Sequence, residues 1–135
     1  MGLRLTLKPG ERVILNGCIV RNAGRARMDL EVENRSDVLR AEEIISQAEA
    51  RFPVRSIAHA IQHALASRET RDELVPHILV SLDRVEAVLD PVVAPALCAV
   101  RESLGTGDFY AALRKLGPVL EREKRLLGDP RSRPT

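Results

Sequence analysis

The chain contains no tryptophan, one tyrosine and two phenylalanines, so aromatic residues make up 2% of its 135 positions. RNA-recognition sheets and single-strand grooves stack bases on several exposed aromatic side chains. A stacking platform of that kind is excluded, and any nucleic acid would have to be held by arginines and backbone. Lysine is scarce as well. Of the 21 basic residues only Lys8, Lys115 and Lys124 are lysines, and the rest are arginines, whose planar fork hydrogen-bonds to phosphate and base edges as lysine does not. Neither sign of charge dominates: 21 basic and 19 acidic residues leave a net +2. That balance excludes a strongly basic nucleic-acid tail and an acidic solvating tail. The two cysteines, Cys18 and Cys98, form no CxxC pair, which excludes zinc and redox motifs of that type, and both are expected to be small buried apolar residues. No segment approaches the roughly 20 apolar residues that span a bilayer. The Met1–Lys8 stretch also lacks the apolar run of a signal peptide. A soluble, reduced, cytoplasmic protein with no membrane partner is expected.

What is present changes character near residue 45. Before it the apolar period is two: Leu3, Leu5 and Leu7 alternate with Arg4, Thr6 and Lys8, and Met28, Leu30 and Val32 alternate with Asp29, Glu31 and Glu33. Pro9-Gly10, Asn16-Gly17, Asn22-Ala23-Gly24 and Asn34–Asp37 read as turns between the runs, and Asn-Gly favours a tight hairpin. Five short strands are expected at 3–8, 11–15, 18–21, 26–33 and 38–41, with an antiparallel meander as the simplest order.

After residue 45 the period is helical. Val54, Ile57, Ala58, Ile61 and Leu65 make one stripe; Leu74, Val75, Ile78, Leu79, Leu82, Val85 and Leu89 make a longer one. Thr70-Arg71-Asp72-Glu73 has the pattern of a capping box. Pro76 is expected to distort the first turns of that helix or delay its start. A third helix is expected over 92–104. A fourth starts at the N-cap Asp108, and Gly117-Pro118 interrupts or kinks it before 119–127. The fold class is therefore α+β: an antiparallel β module over 1–45, a bundle of about four helices over 46–127, and a disordered tail over 128–135. A sheet this small has a thin core. It must pack on the helices, on a second copy, or both, so homo-oligomerisation is expected to be open to it.

No catalytic constellation stands out. GxSxG, P-loop and GxGxxG patterns are absent from the sequence, Lys8-Pro9-Gly10-Glu11 has a single glycine, and Glu31/Glu33 and Glu42-Glu43 read as wet faces. His59 and His63 are four apart on one helix face, without the glutamate of an HExxH site, and read as a solvated or partner-facing pair rather than a metal site. No enzyme, metal or cofactor is expected. The better lead is the β module. Its basic residues concentrate on 3–8 and 18–27, and its acidic residues on 26–33 and after 40. A basic edge opposite an acidic face is one outcome, and a mixed solvated surface is the other.

Leu5-Thr6-Leu7-Lys8-Pro9-Gly10-Glu11, followed by Asn16-Gly17 and Asn22, resembles the opening of the FlbT regulators of flagellin expression. The resemblance continues through Leu30–Arg35, Val38–Glu42, Phe52–Ile57, Ala60-Ile61-Gln62 and Gly107–Leu113, covering residues 3 to about 116. It implies a post-transcriptional regulator of flagellin synthesis and flagellum assembly. Such regulators act on the 5′ untranslated region of flagellin mRNA, as repressor or activator depending on the organism, and work with FlaF, a small helical protein. It implies no cofactor. The Leu5-Thr6…Gly10-Glu11 string and Arg40-Ala41-Glu42-Glu43-Ile44 also resemble the carbon-storage regulators, five-stranded RNA-binding homodimers. Lys8 and Arg40 match the basic positions of their first and last strands, while Leu7 stands where that family carries a basic pair. Ala58-His59 stands where FlbT proteins often carry Tyr-Phe.

Two functional expectations follow. In the first, Arg4, Lys8, Arg12, Arg21, Arg25, Arg27 and Arg40 bind a flagellin mRNA leader through phosphates and unpaired guanines. In the second, the helical module docks FlaF or flagellin through surface residues such as His59, His63 and Tyr110, and affects mRNA only indirectly.

Overall fold

A computed structural model describes residues 2–128. The chain is α+β, with five strands ahead of five α-helices: β1 (Leu3–Leu7), β2 (Arg12–Leu15), β3 (Cys18–Arg21), β4 (Met28–Val32), β5 (Val38–Leu39), α1 (Pro53–Ala66), α2 (Arg71–Val88), α3 (Ala94–Gly105), α4 (Phe109–Lys115) and α5 (Gly117–Leu127). Short 3-10 turns at 41–43, 49–51, 68–70 and 91–93 join them. Of the tail expected over 128–135, residues 129–135 lie outside the described residues.

The strands do not form a meander. β1 pairs with β4, and β2 pairs with both β3 and β5, all antiparallel, which makes one two-stranded and one three-stranded sheet. The reason lies in burial. Alternation gives β1 one apolar face, and Leu5 and Leu7 bury it with Val13 and Val38 of the other sheet, flanked by Leu15, Val20, Leu30 and Val32. The opposite face of the three-stranded sheet carries Ile14 and Leu39, which belong to the main helical core. The β2–β5 ladder is thus a middle layer between the β1–β4 ribbon and the helices, and apolar exposure is left at the margins, at Ile19, Leu3 and Met28.

The connections follow their turn chemistry. Lys8-Pro9-Gly10-Glu11 closes through the Glu11 N–H to the Lys8 carbonyl, with Gly10 at φ +83°. Asn16 and Gly17 both take positive φ, as a tight hairpin between twisted strands requires. A Cβ on Gly17 would lie 2.6 Å from the Leu65 carbonyl oxygen, so the hairpin tip rests against the end of α1.

α1 is central to the bundle, with Val54, Ile57, Ala58, Ile61 and Ala64 buried. Neither end is capped by a neighbour in sequence. At its start, the Val54 and Arg55 N–H groups donate to the two carboxylate oxygens of Glu123 on α5, at 2.6 and 3.1 Å. At its end, Arg71 donates to the Ala64 and Leu65 carbonyls at 2.7 and 3.3 Å while its guanidinium lies over the Phe109 ring. Both contacts satisfy groups that every helix end leaves open.

Several local expectations are corrected. Thr70 does not cap α2; its hydroxyl donates to the Ser67 carbonyl. α2 starts at Arg71, well ahead of Pro76, which lies inside it without delaying its start. Gly117-Pro118 does not kink a single fourth helix but opens a separate one, α5, so the described residues hold five α-helices, in keeping with a bundle of about four. Cys18 and Cys98 are both exposed rather than buried, Cys18 on the edge strand β3 and Cys98 on the outer face of α3. Asp108 does cap α4, accepting from the Ala111 N–H at 3.0 Å. No helix of the described residues is long and apolar enough to cross a membrane.

Candidate nucleic-acid interface

The β1–β4 register brings two basic residues side by side. Leu7 pairs with Met28, so Lys8 and Arg27 sit one step beyond the last paired position, at the same end of the ribbon. Like charges side by side across strands repel one another. Arg40, just after β5, joins them. Lys8, Arg27 and Arg40 line one cleft of about 360 Å³, together with Leu5, Thr6, Leu7, Val13, Ala41, Glu11 and Glu42. None of the three cations makes an ion pair among the described residues.

The scaffold under this cleft is rigidly wired. The Lys8 N–H donates to the Glu11 carboxylate at 2.8 Å, which braces the turn. Asn22, 1% exposed, knots the two β connections together. Its amide donates to the Leu7 and Ala26 carbonyls, at 2.9 and 3.0 Å, and its oxygen accepts the Gly24 N–H at 2.9 Å. Leu7 and Ala26 directly precede Lys8 and Arg27 in sequence, so this one side chain sets where both cations start. The Arg40 N–H donates to Glu43 at 3.0 Å. The other oxygen of Glu43 takes Arg114 of α4 at 2.8 Å, which ties the Arg40 segment to the helices.

The remaining candidates lie elsewhere. Arg4 is on the outer face of β1, directly across from Glu31 of β4. Arg12 and Arg21 face each other across β2 and β3, both exposed, and Arg25 is exposed in the β3–β4 loop. Seven basic residues therefore divide into a convergent trio, a pair on the other sheet, and two separate arginines. The outer face of the β1–β4 ribbon is mixed, with Thr6 donating to Asp29 at 2.9 Å, which is the second of the two outcomes, a mixed solvated surface.

Of the three helical candidates, His63 is exposed and His59 half-buried on α1. Tyr110 has its hydroxyl committed within the chain. It donates to the Val38 carbonyl at 3.0 Å and accepts from Arg114 at 3.0 Å. The Tyr110 hydrogen bond, then the charge of Glu43, hold the Arg114 guanidinium above its ordinary value against the opposing effect of desolvation. Tyr110 and Arg114 thus latch β5 and the Arg40 turn to α4.

Sequence reading missed Glu123, Asn22 as more than a turn residue, and the Glu43–Arg114 pair. Glu123 carried a visible signal: it falls four residues after buried Val119, on the apolar stripe of α5, where an acid has a reason to be. The other two depend on contacts across more than one element and leave no local pattern.

The chain matches the family of the flagellar protein FlbT over residues 3–127. It is 29% identical over 129 residues to the probable flagellum biosynthesis repressor protein FlbT of Caulobacter vibrioides (strain NA1000 / CB15N), covering 95% of this chain and 91% of that one. Its similarity to the corresponding protein of Caulobacter sp. (strain K31) is 30%, over 95% and 98% of the two chains. With the probable flagellum biosynthesis repressor protein FlbT 1 of Bradyrhizobium diazoefficiens it shares 29%, over 96% and 87%. No solved structure matches the chain. With a family match that runs from the first strand to the end of the last helix, the chain belongs to the FlbT family of flagellar proteins.

Proposed function

We propose that this protein regulates flagellum biosynthesis after transcription, by binding the 5′ untranslated region of flagellin mRNA through the Lys8–Arg27–Arg40 cleft. The relatives named as flagellum biosynthesis repressors support the process. The observation that carries the RNA contact is the convergence in one cleft of three cations without ion-pair partners among the described residues, on a chain whose net charge is only +2. Arginines of this kind hold phosphates and can fork onto the edge of an unpaired guanine. Glu11 and Glu42 on the cleft wall disfavour indiscriminate polyanion binding, which suits recognition of a shaped loop. The role is that of a regulator rather than an enzyme.

The alternative, docking of FlaF or flagellin with an indirect effect on mRNA, has less support at the residues first considered for it. Tyr110 is engaged with Val38 and Arg114, and His59 is half-buried.

A salt titration of leader-RNA binding separates the readings. Each phosphate contact to a single strand contributes about 0.7 to the slope of log affinity against log salt. The triple variant Lys8→Ala/Arg27→Ala/Arg40→Ala is expected to flatten that slope by about 2. Arg4→Ala/Arg12→Ala/Arg21→Ala, with the same change of charge, is expected to flatten it less. Equal slopes for both variants, or no leader binding by the wild-type chain, would sink the assignment.

A further inference from the structure

The turn at 41–43 separates two cavities of opposite character. On one side is the basic cleft. On the other, a groove of about 280 Å³ runs between this turn, the start of α1, and α4 and α5. Its floor is apolar, made by Leu39, Ile45, Leu113 and Leu120. Its walls carry Glu42, Glu43, Glu49 and Glu121 against Arg55, Arg114 and Lys124.

The charges that face an incoming ligand are fewer than that roll suggests. Arg114 is occupied by Glu43 and Tyr110, and Arg55 is buried, with its guanidinium over the Phe52 ring. Lys124 lies 3.9 Å from Glu121, a loose surface pair. Glu42 is exposed, and Glu49 accepts long bonds from Ser46 at 3.2 and 3.4 Å. The groove thus presents an apolar floor under an acidic rim. Phosphate is repelled there, and a cation carried on an apolar segment is favoured. The volume lies just below the roughly 300–1,000 Å³ of small-molecule pockets, so it admits a few side chains of a segment and not a folded partner.

We propose that this groove docks a basic segment of a partner protein, which inserts aliphatic side chains over Leu113 and Leu120 and sets arginine or lysine against Glu42, Glu49 and Glu121. The groove shares Glu42 with the RNA cleft and no other lining residue, and its test does not require that RNA binds.

The test uses the full chain with methyl-labelled isoleucine and leucine, and a short peptide of arginine and leucine at helical spacing. A second peptide with glutamate in place of arginine is the control. Binding of the first peptide alone is expected, with the largest shifts at Ile45, Leu113 and Leu120. Glu42→Gln/Glu49→Gln/Glu121→Gln is expected to weaken it by at least about tenfold. Glu69→Gln/Glu73→Gln/Glu102→Gln, exposed acids outside the groove, is expected to leave it unchanged. Equal weakening in both variants would reduce the effect to net charge and overturn the proposal. Shifts confined to other methyls would do the same. So would groove shifts produced by single-stranded leader RNA, or by raising the protein concentration alone, which would hand the groove to RNA or to a second copy.

Discussion

Removing the Glu123 carboxylate tests the account of how α1 is held. Glu123 is 5% exposed and accepts both the Val54 and the Arg55 N–H, the first two N–H groups of α1 after Pro53. No side chain next to α1 in sequence caps its start. In Glu123→Ala two helix N–H groups lose their acceptor in a buried place, at about 1–3 kcal/mol each. The lost methylene adds about 1 kcal/mol of packing and cavity cost. Some of that is returned by water reaching the gap, so about 3–5 kcal/mol is the expected net loss. Glu123→Gln keeps one oxygen for one of the amides. It turns its NH2 toward the other and forfeits the attraction of a negative charge for the helix N-terminus, for a loss of about 2 kcal/mol. Urea unfolding followed by circular dichroism reads both variants, and the ratio between them matters as much as either value. A loss below about 1 kcal/mol for Glu123→Ala would show that α5 does not cap α1. Equal losses for Ala and Gln would show that the negative charge, not side-chain volume or the oxygen that Gln keeps, is what the site needs.

Other predictions follow from the same level of detail. Asn22→Ala strands the Leu7 and Ala26 carbonyls and the Gly24 N–H, and is expected to cost about 2–4 kcal/mol in the same assay; Asn22→Asp, which cannot donate to the two carbonyls, should cost nearly as much. A stable Asn22→Asp protein would refute the donor role. Gly17→Ala meets both a positive φ and the Leu65 carbonyl 2.6 Å away, and is expected to lose about 1–3 kcal/mol, whereas Gly10→Ala, also at positive φ but with open space around it, should lose less. Both thiols of the native protein should react rapidly with a thiol reagent without denaturant, because Cys18 and Cys98 are exposed; a single fast-reacting thiol would contradict their placement.

Much of the fold was legible from periodicity, and the exceptions share a cause. Alternation over Leu3–Leu7 and Met28–Val32 places two strands because one face is buried, and Asn16-Gly17 places a hairpin because both residues accept positive φ. Neither signal says that β1 pairs with β4. Pairing is decided by which apolar faces can be covered together, and here Leu5 and Leu7 meet Val13 and Val38 from the other sheet. Cys98 was misread for a related reason. A small apolar residue in an Ala-rich helix carries no periodic weight of its own, and α3 turns Leu97 and Val100 inward instead. Thr70 had the spacing of a cap, yet a 3-10 turn at 68–70 takes its hydroxyl back to Ser67. At the site, the basic residues were identifiable by type, but only the register past Leu7–Met28 selects Lys8 and Arg27 from among them. Tyr110 shows the reverse: a lone tyrosine on a helix gives no sign that its hydroxyl is spent on Val38, 72 residues away.

Glu42 belongs to the walls of both cavities, and this has a thermodynamic consequence. A phosphate in the basic cleft is repelled by the Glu42 carboxylate. At a separation of about 7 Å in a largely aqueous setting that repulsion is worth about 0.6 kcal/mol, or about threefold in affinity. Neutralising Glu42 alone, as Glu42→Gln, is therefore expected to tighten leader-RNA binding about threefold at low salt. Glu121→Gln, on the groove side only, is expected to leave it unchanged. A cation docked in the groove against Glu42 would do the same electrostatic work as the substitution, so its binding is expected to raise RNA affinity by a similar factor, and RNA is expected to raise affinity for that cation reciprocally. The sign is the discriminating feature. Were the groove and the cleft rival sites for one ligand, occupancy of either would weaken the other. Weaker RNA binding by Glu42→Gln, or the same gain from Glu121→Gln, would refute the coupling through this side chain.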